Sequence, residues 1–157
     1  MTATNLKRDA EILRYRLIVG EVSVEDVVAW ADGIIMKEPE PDASLLDISL
    51  ARRGGVHEVV RLLRTVPGET SSIDVMRAWL GHMLTALRSD PGCGRTIAQW
   101  LYRWAIEGEL PEAEFGWEPY VLDDSFHLAD TGVCSLDDAL AQLEEYLSRH
   151  AERSTGS

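Results

Sequence analysis

The chain has 157 residues, 45% of them apolar and 27% charged, with 15 Lys and Arg against 27 Asp and Glu. That length allows one domain burying roughly two thirds of its unfolded surface, and the composition excludes a globally disordered chain. A formal net charge of −12 argues against direct nucleic-acid binding, which depends on Lys and Arg at phosphates, and no stretch approaches the ~18 apolar residues of a membrane span.

Leu6, Ala10, Leu13 and Leu17 recur at helical spacing, the mark of a helix with one buried stripe, and Gly20 can end it. The same segment lacks the apolar run of a signal peptide, so the expected location is the cytoplasm. Ser23, followed by Asp26, forms a capping-box pattern opening a second helix along Val24, Val27, Val28, Ala31, Ile34 and Ile35. Glu38 to Asp42 contains Pro39 and Pro41 and must be a loop. A short helix over Ala43–Arg52 follows, closed by Gly54 and Gly55. The next spans Val56–Val66, with Val56, Val59, Val60 and Leu63 turned inward and Pro67 and Gly68 as its stop.

Ser71 and Asp74 start the longest apolar-periodic helix, carrying Ile73, Met76, Leu80, Met83, Leu84 and Leu87, the expected centre of the core. Ser89 to Gly94 reads as a turn, and Ile97, Trp100, Leu101, Trp104 and Ala105 make the next helix before Gly108. Glu109 to Pro119 reads as a loop with one helical turn after Pro111. Leu122, Phe126, Ala129 and Val133 then repeat at helical spacing, with Pro119 suited to the first turn. Ser135 and Asp138 open a last helix along Leu136, Leu140, Leu143 and Leu147. Residues 1–150 are thus expected to form a single all-helical domain, and 151–157 a flexible tail.

One pattern recurs three times: Gly20, Ser23, Asp26; Gly68, Ser71, Asp74; Gly132, Ser135, Asp138. Each puts a helix-ending glycine just before a capping serine, the chemistry of a tight joint between packed helices. The repeats lie 48 and then 64 residues apart, which argues against a regular solenoid. The expected fold is all-α, an irregular bundle of about seven or eight helices built from helical hairpins.

The net charge has one source. Ala105 to Ser148 holds twelve carboxylates and no Lys or Arg, whereas the rest of the chain balances fifteen acids with fifteen bases. Such a field favours a basic partner, speeding encounter and making binding sensitive to salt. The plainer account is that acidity keeps the protein in solution. Phe115, Trp117 and Tyr120 lie among these acids. They are either aromatic anchors of a protein-binding patch or the lid of the core.

Two constellations could carry chemistry. Asp123, His127 and Asp130 share one helix face and could ligate a divalent metal; the plainer account is a solvated polar flank in which His127 gains a charge partner. Cys93 sits between two glycines at a helix start, near Arg95, where a thiolate would be favoured. No base is placed beside it by the sequence, so an unreactive loop cysteine is the plainer reading. PGCGRT lacks phosphate-loop spacing. Cys93 and Cys134 form no zinc pattern and are expected to be free thiols in a reducing compartment. No cofactor is expected.

SVEDVVAWADGII (Ser23 to Ile35) and YVLDDSFHLADTGVCSLDDALAQLEEYL (Tyr120 to Leu147) resemble segments of small acidic, all-helical bacterial proteins, some of toxin-immunity type. The resemblance implies a cytoplasmic protein that blocks a toxin without chemistry of its own. The expected function is therefore a non-catalytic immunity or inhibitor module that masks a basic protein. Glu112, Glu114, Phe115, Trp117, Glu118, Tyr120, Asp123 and Asp124 would bind the partner. The alternatives are an enzyme using Asp123, His127 and Asp130 or Cys93, and a structural homodimer.

Overall fold

The computed structural model describes residues 3–151. Most of the expected tail at 151–157 therefore lies outside the described residues. Helix makes up 75% of the structure, with no strand among the described residues, and eight of the nine α-helices have seven residues or more. This is the expected all-helical bundle.

Two compact units divide the chain, Met1–Ser71 and Ser72–Ser157. The first holds α1 (Ala3–Ile18), α2 (Val24–Lys37), α3 (Ala43–Ser49) and α4 (Gly55–Arg64). The second holds α5 (Ser72–Ser89), α6 (Gly94–Ile106), α7 (Glu112–Phe115), α8 (Pro119–Asp130) and α9 (Leu136–His150). The middle Gly-Ser-Asp joint, Gly68 to Asp74, spans the boundary between the units in sequence.

In the first unit α1 packs mainly on α4, and α2 on α3. The shared core is aliphatic: Ala10, Leu13, Leu17, Val27, Ala31, Leu45, Ile48, Val59, Leu62 and Leu63. α2 begins as its sequence dictates. The Asp26 N–H donates to Ser23 Oγ at 3.1 Å while the Ser23 N–H donates to the Asp26 carboxylate at 2.9 Å, satisfying two donors at the helix start. α1 ends with Gly20 at φ +80, the Gly20 N–H donating to Leu17 and the Glu21 N–H to Arg16. Lys7 Nζ donates to the Arg64 carbonyl at 2.6 Å and also pairs with Glu11 at 3.0 Å, joining α1 to the end of α4. The expected inward face of α4 needs correction: Val56 is exposed, and Val59, Leu62 and Leu63 are buried. Both sets fit a helical period, and only packing against neighbours selects one.

α5 is the core helix of the second unit, burying Val75, Met76, Trp79, Leu80, Met83, Leu84 and Leu87. α9 packs against α5, and α8 against both α6 and α9. Aromatic rings fill the space between them. Trp79 meets Trp104 edge-on at 6.1 Å, and Trp104 stacks on Trp100 at 5.5 Å. The second glycine of PGCGRT has a packing role, because a Cβ on Gly94 would fall 2.6 Å from Leu140 and 3.3 Å from Phe126. α8 ends in a Schellman closure at Gly132, with the Val133 N–H donating to the Leu128 carbonyl at 2.9 Å. Ser135 then caps α9 through the Asp138 N–H at 3.0 Å. Along α9 the inward face is Ala139, Leu143, Tyr146 and Leu147, whereas Leu136 is exposed. An aliphatic count passes over Ala139 and Tyr146, the residues that set the register. Among the described residues no helix is long and apolar enough to cross a membrane.

Candidate functional site

The acidic segment runs from the end of α6 through α7 and α8 to α9. Arginines of the same unit take up part of its charge. Arg103 pairs with Glu107 at 3.0 Å and Arg88 with Glu144 at 3.0 Å. Arg149 bridges Glu118 at 3.0 Å and Glu145 at 2.8 Å, and Arg95 grips Asp130 through both carboxylate oxygens. Five of the twelve carboxylates are thus held by arginine. Glu112, Glu114 and Asp124 are exposed and form no ion pair among the described residues.

The expected partner-binding residues divide into two groups. Phe115 is fully buried, with the Arg77 guanidinium 5.0 Å above its ring and its carbonyl accepting the Tyr146 hydroxyl at 2.9 Å. It serves the core and, being fully buried, is not the surface anchor that the sequence suggests. Glu118 gives one oxygen to Arg149, and its other oxygen is buried against Gly116, where an added Cβ would come within 2.1 Å. Asp123 is also mostly enclosed, with one oxygen 3.5 Å from His127 Nε2 and the other buried. These three side chains are structural.

Trp117 and Tyr120 face outward, at 57% and 40% exposure. The reason is local. Gly116, at φ 75 and ψ 177, takes a conformation open essentially to glycine alone and turns the chain sharply between α7 and α8. Phe115 is directed inward before the turn and Trp117 outward after it. Pro119 occupies the first turn of α8, and the Tyr120 N–H donates to the Trp117 carbonyl at 3.0 Å. Tyr120 is steadied by an edge-on contact with Tyr102 at 6.1 Å and by donation of its hydroxyl to the Ala105 carbonyl at 3.4 Å.

The two chemical alternatives find little support in the geometry. Arg95 takes both oxygens of Asp130, and no group of three potential ligands could hold a metal among the described residues. Cys93 lies at the cap of α6, but burial and the neighbouring Asp90 carboxylate push its thiol up, opposite to the direction that a helix start and Arg95 suggest. Both cysteines are free, and Cys134 donates to the Ser125 carbonyl at 3.3 Å. An open groove of about 350 Å³ between α5 and α9, lined by Leu87, Arg88, Pro91, Leu140 and Glu144, receives none of these candidates.

Tyr102 and Ile106 of α6 are exposed and were not among the expected site residues. Their signal was available: Ile97, Trp100, Leu101, Trp104 and Ala105 define the inward stripe of α6, and these two large apolar residues fall off it. No protein-family model, curated protein or solved structure gives a significant match to the chain.

Proposed function

We propose that the protein is a non-catalytic binding module, of the immunity or inhibitor kind, that masks a basic partner protein with the acidic surface of its second unit. The carrying observation is that Glu112, Glu114 and Asp124 have no ion pair among the described residues, within a segment that also exposes Trp117 and Tyr120. A carboxylate that no arginine holds contributes little to folding and is free to act on a partner. The field speeds encounter, and desolvated aromatic contact supplies most of the affinity. The same field disfavours nucleic acid and anionic membrane surfaces. A cytoplasmic location fits the two free thiols.

Paired low-salt pull-downs from the source organism test this, one resin carrying the parent protein and the other the Glu112→Gln, Glu114→Gln, Asp124→Asn variant. A basic protein retained by the parent alone and released by salt is the expected result. Equal retention by both resins, or capture indifferent to salt, overturns the reading.

A further inference from the structure

Exposed apolar residues meet where α6 lies against the start of α8, and α8 also exposes Val121 and Leu128. Tyr102 and Ile106 are one turn apart on α6, at 39% and 60% exposure. Tyr120 of α8 rests edge-on against Tyr102. Trp117 stands one turn before Tyr120, and the exposed carboxylate of Asp124 one turn after it. A mainly apolar ridge therefore crosses from one helix to the other, with a negative charge at its α8 end. The Arg103–Glu107 pair on α6 cancels its own charge.

Resting on the reading above, we infer that this ridge is the contact face and that it takes an amphipathic helix with Lys or Arg along the edges of its apolar stripe. Tyr102 and Ile106 repeat at the one-turn interval at which a partner helix presents its own anchors. Trp117 and Tyr120 offer ring faces that attract cations, and the exposed carboxylate of Asp124, one turn from Tyr120, selects for them. Charge complementarity thus favours a basic helix over a second copy of this chain, whose unit carries the same fifteen acids against six bases.

The probe is a fluorescein-labelled peptide of about 14 residues, four helical turns, made only of Leu and Lys with the Leu residues on one stripe. A scrambled peptide of equal composition removes the stripe without changing the charge. The striped peptide is expected to bind about tenfold more tightly than the scrambled one. Ile106→Ala and Trp117→Ala should each remove most of that difference without altering helix content, and the Trp117 indole NMR signal should shift on binding.

Equal binding of both peptides, still lost in the Glu112, Glu114, Asp124 neutralised variant, overturns the ridge as contact face and leaves the acidic reading standing. Failure of either peptide to bind at about millimolar concentration overturns both. A parent dimer in sedimentation that Ile106→Ala dissolves would give the ridge to a second copy and likewise overturn the inference.

Discussion

In the Met1–Ser71 unit nine bases stand against twelve acids, and in Ser72–Ser157 six stand against fifteen. The first unit pairs its charges locally, as in Lys7 and Arg14 with Glu11, Arg16 with Glu21, and Arg61 with Glu58, over an aliphatic core. The second builds its core around Trp79, Trp104, Phe115, Phe126 and Tyr146, and its arginines cannot cover its acids. The difference is one of degree, a surplus of three acids in the first unit and of nine in the second. Stability rests on burial in both units, and the larger surplus of acids over bases lies in the second.

The largest test of that contrast separates neighbouring aromatics. Phe115→Ala should cost about 3–5 kcal/mol, comparable to Leu63→Ala in the first unit at about 2–5 kcal/mol. Trp117→Ala should stay within about 0.5 kcal/mol. Urea denaturation followed by circular dichroism measures all three. A large loss at Trp117 would make it part of the core.

Glycines sharpen the comparison next. Gly116→Ala should cost about 1–3 kcal/mol, because its backbone conformation is closed to alanine. Gly33, inside α2 with open space around it, should instead gain about 0.5–1 kcal/mol on replacement by alanine. Thermal melts of the two variants should therefore move in opposite directions.

A smaller effect depends on pH. Burial, then the neighbouring Arg149, hold the His150 imidazole below its ordinary value, while its ring packs against Tyr146 at 4.6 Å and Phe115 at 5.9 Å. The unfolded chain therefore takes up this proton first. Its contribution is present above the ordinary imidazole value and lost as pH falls through the lower folded one. Melting temperature should drop between about pH 7 and about pH 5, and His150→Gln should flatten that drop. An unchanged slope would remove His150 as its source.

Much of the fold was legible because short-range chemistry specifies it. The Ser23–Asp26 box, the Ser135 cap, Pro119 in the first turn of α8 and the helix-ending Gly20 and Gly132 all act within a few residues. What was not legible depends on distant partners. The inward face of α4 was settled by packing, and burial of Phe115 required Arg77 and Tyr146 from other helices. The acidic segment looked unbroken in sequence because Arg88, Arg95 and Arg149 reach it from outside its bounds. Trp117 faces outward through the turn at Gly116, whose backbone angles a residue name does not state.

The smallest expected change in stability comes from Glu112→Gln, Glu114→Gln, Asp124→Asn, which should melt no lower than the parent, since no ion pair is lost and self-repulsion is eased. A clear fall would make these carboxylates structural.

The most direct measurement is the affinity of the parent and of this variant for the basic protein recovered by the paired pull-downs, across a series of salt concentrations. The parent should bind tightly at low salt and weaken steeply as salt rises, while the variant binds weakly with a shallower dependence. Matching affinities and slopes for the two proteins would contradict a docking role for the unpaired carboxylates.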